Sequence, residues 1–187
     1  VDTVALEFSQ GGWRLDLGQL LQSLTPGTRA LLINSPNNPT GWTLSAAEQQ
    51  AILAHCRERG IWIIADDVYE RLYFQGRVAP SFLDIAQPHD RLISSNSFSK
   101  AWRMTGWRLG WIVAPSQLHA DLGKLIEFNT TCAPPFIQRG AVAALQHGEP
   151  DIAHSLQRLA TAAAHLVQGL SRIGRVWANG EELDPSE

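Results

Sequence analysis

Cysteine is scarce in this chain: Cys56 and Cys132 stand far apart, outside any C-x-x-C or Cys–His spacing, so neither a disulfide framework nor a zinc site is offered. Both are expected to be small buried thiols. The six histidines are dispersed. Asp151 with His154, at helical i,i+3 spacing, is expected to be a solvated helix edge rather than a ligand pair. An excess of basic charge is also missing, since the formal net charge is −3 and the basic residues are scattered. That excludes a nucleic-acid surface as an expectation. The longest apolar runs, such as "IWIIA" at 61–65, fall far short of a membrane span, and no basic segment with a cleavage site opens the chain. The expectation is a soluble, cytoplasmic protein with no nucleic-acid and no membrane partner. A starting methionine is missing too, and the chain stops at "NGEELDPSE" just after a new strand begins, so it is expected to be a fragment.

Hydrophobic residues make up 44% of the 187, enough for one buried core. No internal repeat is present; short β-branched runs alternate with longer helical patterns, the rhythm of an α/β sheet. "TVALEF" at 3–8 reads as a strand. Leu17, Leu20, Leu21 and Leu24 then mark one helix face, ended by Pro26-Gly27. "ALLI" at 30–33 is an apolar strand followed by the irregular "NSPNNPTG". Ser45 with Glu48 forms a capping box and Gly60 a helix stop. "IWIIA" runs into Asp66 and "RLIS" at 91–94 runs into Ser95, so each strand hands the chain to polar residues at its carboxyl end, where open parallel sheets bind ligands. A strand at 109–114 and helices at about 116–128 and 135–147 follow. From Pro150 an amphipathic helix carries Ile152, Leu156, Leu159, Ala163, Leu166 and Leu170 over roughly 33 Å.

Three segments carry chemistry. In "SNSFSKAWRMTGWRLGW" at 95–111, Lys100 follows an apolar strand, so its ammonium is expected at the sheet rim, partly desolvated and near Arg108. Both influences favour the free amine, a nucleophile toward carbonyls. Arg108 has a planar fork suited to phosphate, Ser97 and Ser99 offer hydroxyls, and Gly106 and Gly110 allow close backbone approach. The alternative is an ordinary surface lysine. In "ADDVYERLYF", Asp66 ends a strand and Tyr69 follows three positions later; a carboxylate kept ionised there can hold a proton on a heteroaromatic nitrogen. A helix N-cap with Tyr69 in the core fits the same spacing. In "SPNNPTG", Asn38 precedes proline, the ordinary place for a cis peptide, or for a plain turn. The tryptophans around Lys100, namely Trp102, Trp107 and Trp111, are expected to pack in the core or at a subunit interface.

N-P-T-G at 38–41, D-x-x-Y at 66–69 and S-x-S-K-x7-R at 97–108, in this order, resemble the class I/II, fold-type I aminotransferases that depend on pyridoxal 5′-phosphate. The resemblance runs through residues 1 to about 173. It implies a three-layer α/β/α sandwich with a mostly parallel sheet, in which residues 1–148 form the central part of the cofactor-binding large domain. Residues 149–187 would be the linking helix and the start of a small C-terminal domain. It further implies that Lys100 forms the Schiff base with pyridoxal 5′-phosphate and shuttles the proton, and that Asp66 pairs with the pyridine nitrogen. Tyr69 and Asn38 would bond the phenolic oxygen, while Ser97, Ser99 and Arg108 would take the phosphate. The implied activity moves an amino group from an amino acid to a 2-oxo acid in a homodimer. A lyase on the same scaffold, and a non-catalytic dimerisation or sensing module, are the alternatives.

Overall fold

The computed structural model describes residues 1–9, 12–172, 174, 177–178 and 181–182. Its centre is a four-stranded sheet of β3 (Ala30–Asn34), β4 (Trp62–Asp66), β5 (Leu92–Ser97) and β6 (Gly110–Val113), in that order. The first three strands are parallel and β6 returns antiparallel to β5. The sheet is therefore mostly parallel, as expected. Ahead of it, β1 (Glu7–Ser9) pairs antiparallel with β2 (Gly12–Arg14). The strand expected at 3–8 is thus shorter and shifted toward the carboxyl end, and β2 was not foreseen, because three residues are too few to show a period.

Alternation along the strands separates two faces of the sheet. One carries Leu31, Ile33, Ile63, Ala65 and Leu92, packed with Leu20 and Leu24 from around α1 (Leu17–Ser23) and with Ile52, Leu53 and Cys56 of α2 (Ala46–Arg59). Ile52 and Ile63 are wholly buried there, and truncating either to alanine costs about 2–5 kcal/mol. The opposite face holds Leu32, 71% exposed, and Ile112, 49% exposed. Of the layers of an α/β sandwich, the sheet and the α1–α2 layer are packed within this chain.

Local signals set the helix ends. Ser45 caps α2 through the foreseen box with Glu48, and Gly60 ends it at φ +66°, in the left-handed region that favours glycine. After β6, the segment expected as one helix begins with a short 3₁₀ turn at Ser116–Leu118 and continues as α3 (His119–Thr130). Then come α4 (Pro135–His147) and the long α5 (Glu149–Leu170), both with proline in the first turn. Ile152 of α5 is buried, whereas Leu159, Leu166 and Leu170 are exposed. β7 (Trp177–Ala178) pairs antiparallel with β8 (Glu181–Glu182). Most of the 149–187 tail beyond α5 lies outside the described residues. No described helix is long and apolar enough to cross a membrane.

The turn that feeds β5 is fixed by charge. Arg57 grips Asp90 through both oxygens at 2.7 and 2.6 Å, and the Gln87 N–H donates to the same carboxylate at 2.7 Å. The Arg57 hydrogen bond, helped by Gln87 and opposed by burial, lowers the Asp90 pKa from its ordinary 3.8 to about 2. A carboxylate held down this way contributes stability that is fully present above the ordinary value and lost as pH falls through about 2. Asp90→Asn is therefore expected to lower stability at neutral pH and to flatten its fall between pH 3.8 and about 2, read by urea denaturation across that range. An unchanged slope there would assign the acid sensitivity to other groups.

Candidate active site

Three polar segments leave the sheet at the carboxyl ends of its parallel strands. The register sets Asn34 beside Asp66 and Asp66 beside Ser95, so one row of polar residues crosses β3, β4 and β5 on the face opposite the α1–α2 core. Asn34 ties this row to the next loop. Its amide donates to the Asp66 carbonyl at 3.1 Å, and its Oδ1 accepts from the Asn38 N–H at 2.9 Å and from the Asn37 amide at 3.4 Å. Asn34 was missed by sequence reasoning; its signal was its position as the first polar residue after "ALLI". The Asn38–Pro39 bond is cis, as expected, and so is Ser35–Pro36.

Asn38 Nδ2 donates to the Tyr69 hydroxyl at 3.0 Å, and Lys100 Nζ lies 5.4 Å from the centre of the Tyr69 ring. Side chains 31 residues apart in each direction along the chain thus meet at one phenol. Asp66 is no helix cap: its Oδ1 accepts from Val68 N–H at 3.3 Å, and a tight turn follows, with Tyr69 only partly buried.

Ser97 ends β5. Its hydroxyl donates to the Leu109 carbonyl at 3.3 Å and accepts from the Ser99 N–H at 3.1 Å, which binds the turn before Lys100 to the start of β6. Arg108 adopts φ +51° and donates from Nη1 to the Thr105 carbonyl at 3.1 Å. One expectation needs correction. Lys100 is exposed rather than partly desolvated, because its turn carries it past the strand end, where the Tyr69 ring is the surface that its ammonium meets. Gly106 faces open space, whereas a Cβ on Gly110 would stand 2.4 Å from the Asn96 carbonyl oxygen.

The carboxylate next to Asp66 was also missed. In an extended strand end the doublet "DD" sends one side chain to each face, and Asp67 goes to the buried one, 4% exposed. It accepts from Ser94 Oγ at 2.6 Å and Ser81 Oγ at 3.5 Å, while its N–H donates to Ser95 O at 2.9 Å. Burial raises its pKa and the Asp66 charge adds to the rise, against the Ser94 hydrogen bond. Asp67 clamps β4 to β5 directly below the polar row.

Trp102 and Trp111 pack against the core as expected, and Trp107 does not. Trp102 and Trp111 lie 5.8 Å apart, each 5.0 Å from Phe98. Trp107 is 42% exposed and presses on Gly140 of α4. Cys56 is buried, and burial pushes its thiol up to about 11; Cys132, contrary to expectation, is exposed in the loop before α4. No group of metal-ligating residues occurs among the described residues. A cleft of about 900 Å³ adjoins Asn38 and Tyr69, walled by Trp13, Trp42, Phe74 and Ala163 of α5.

Since the added methyl would meet backbone rather than a flexible side chain, Gly110→Ala is expected to separate β5 from β6 and to destabilise by about 1–3 kcal/mol. Gly106→Ala is the matched control, with a cost below about 1 kcal/mol. Thermal denaturation of the two variants checks this; equal costs would contradict the close approach.

Residues 1–182 match the family model described as aminotransferase class I and II. The arginine–pyruvate transaminase of Pseudomonas aeruginosa is 39% identical over 145 residues, covering 77% of this chain and 36% of the relative. An aspartate aminotransferase of Musicola paradisiaca is 35% identical over 156 residues, 82% of this chain and 38% of the relative. Among solved structures, N-succinyldiaminopimelate aminotransferase from Mycobacterium tuberculosis superposes with a TM-score of 0.82 at 31% identity, over 95% of this chain and 46% of that one. The chain spans less than half the length of each. Three ordered motifs on one sheet rim, a family match across nearly the whole sequence and the shared fold lead to one statement: this chain belongs to the class I and II aminotransferases.

Proposed function

We propose that the natural-length protein is an aminotransferase dependent on pyridoxal 5′-phosphate, moving an amino group from an amino acid to a 2-oxo acid. In this reading residues 1–148 are the central part of its large domain, and 149–187 are the linking helix and the start of a small domain. The protein works in the cytoplasm as a homodimer. The observation that carries the reading is the meeting of Lys100, Tyr69 and Asn38 beside the strand end that bears Asp66.

The donor set fits the cofactor chemically. An amine, a carboxylate, a phenol held by an amide, hydroxyls and a guanidinium all follow the carboxyl ends of neighbouring strands or the turn into β6. When bound, pyridoxal 5′-phosphate supplies a ring that takes up the charge left as a proton leaves the substrate α-carbon. Lys100 would hold the cofactor through its Nζ, and its free amine would carry that proton as a base. Asp66 would keep a proton on the ring nitrogen. Tyr69, oriented by Asn38, would donate to the phenolic oxygen. Ser97, Ser99 and Arg108 offer the hydroxyls and planar fork that a phosphate accepts.

Borohydride treatment of the natural-length protein with pyridoxal 5′-phosphate is expected to fix one cofactor on Lys100, located by peptide mass. An amino acid alone is expected to convert the cofactor to its pyridoxamine form with release of the 2-oxo acid, and Lys100→Ala to slow this by about 10²–10⁴-fold. A label on another residue, or free ammonia in place of the pyridoxamine form, would contradict the proposal.

A further inference from the structure

The turn after β4 and the turn after β5 exchange cations. Lys100 of the second turn sets its Nζ over the ring of Tyr69 in the first, at 5.4 Å, and Arg71 of the first sets its guanidinium over the ring of Trp102 in the second, at 5.7 Å. In each turn the two participants are two residues apart, so the contacts are reciprocal and geometrically linked. If Arg71 leaves Trp102, the turn carrying Lys100 loses a hold on the turn carrying Tyr69.

Arg71 is largely enclosed between Trp102 and Glu149. Its side chain is 18% exposed, and its Nε is buried with no hydrogen-bond partner among the described residues, so hydrogen bonding alone does not account for its position. Its Nη2 donates to Glu149 Oε2, and Arg77 Nε holds the other oxygen of Glu149 at 3.1 Å. Glu149 opens α5, where a helix N-terminus favours an anion. Glu70, beside Arg71 in its turn, is a further carboxylate that feels its charge. Trp102 in turn is locked from below: its Nε1 donates to the Ala144 carbonyl of α4 at 3.2 Å, and its ring packs on Phe98 and Trp111.

We propose that Arg71 is a positioning residue which, stacked on Trp102 and held by Glu149, keeps the Lys100 amine over Tyr69, so that the start of α5 is linked mechanically to the lysine turn. This rests on the reading of Lys100 as the reactive amine. Three variants that leave net charge unchanged separate geometry from simple charge. Arg71→Lys keeps the cation without the planar face. Trp102→Phe shrinks the ring, and Glu149→Asp shortens the reach to both arginines.

The readout is made on the cofactor-free, natural-length protein by acetylation with acetic anhydride at one fixed pH, with Lys124 of α3 as the internal reference. Release from the Tyr69 ring uncovers the Lys100 amine to the reagent. Arg71→Lys and Trp102→Phe are therefore each expected to raise the labelling rate of Lys100 relative to Lys124 by about threefold. Glu149→Asp is expected to act in the same direction by less. Glu149 is half exposed, which keeps that variant foldable. A Lys100 to Lys124 labelling ratio unchanged or lowered in Arg71→Lys and Trp102→Phe, with native circular dichroism, overturns the proposal. Failure of borohydride to fix pyridoxal 5′-phosphate on wild-type Lys100 overturns the functional reading instead, and the acetylation result is read without the cofactor.

Discussion

The in-register pairing of β3, β4 and β5 is the constraint on which the rest depends. Parallel strands in a hydrogen-bonded ladder present their carboxyl ends side by side, and here the ladder sets Asn34, Asp66 and Ser95 in one row. A slip of one residue would turn every side chain of a strand to the other face and bury Asp66 where Asp67 now lies. The apolar face forbids that slip, since Ile63 and Ala65 fill the core beneath α2. Asp67 adds a polar lock of its own through Ser94 and Ser81. Chemistry on one face is therefore positioned by packing on the other.

Much of this frame was legible in local signals. The cap of α2 at Ser45, its stop at Gly60 and the apolar runs of β3, β4 and β5 each rest on neighbours in sequence. So do the ordered motifs that brought Asn38, Asp66, Tyr69, Ser97, Ser99, Lys100 and Arg108 forward. What stayed hidden depends on contacts across the chain. Asn34 matters because of where the loop after β3 folds back. Asp67 looks like its neighbour in sequence and differs only by strand parity. Gly110 is required by its place in the ladder opposite Ser97, with the Asn96 carbonyl against it, which no local pattern shows.

The exposure of Leu32 and Ile112 follows from one circumstance: the sheet face that carries the polar row is covered less than the face under α2. Within the described residues, the contacts that hold the lysine turn include Ser97 to Leu109, Trp102 to the Ala144 carbonyl, the Phe98–Trp102–Trp111 cluster and the paired cation–ring contacts. Each is modest alone, with cation–ring contacts at exposed sites worth about 0.5–1 kcal/mol. Their shared effect is to fix the direction of one flexible side chain, and a four-carbon stem needs several such contacts to keep a single orientation.

A crystal structure of the natural-length protein grown with pyridoxal 5′-phosphate examines this arrangement most directly. The account predicts Lys100 Nζ bonded to the cofactor, the Asp66 carboxylate in hydrogen-bond contact with the ring nitrogen and the Tyr69 hydroxyl in contact with the phenolic oxygen. A cofactor seated elsewhere, or Lys100 and Asp66 turned to opposite sides of the sheet with no hollow between them, would contradict it.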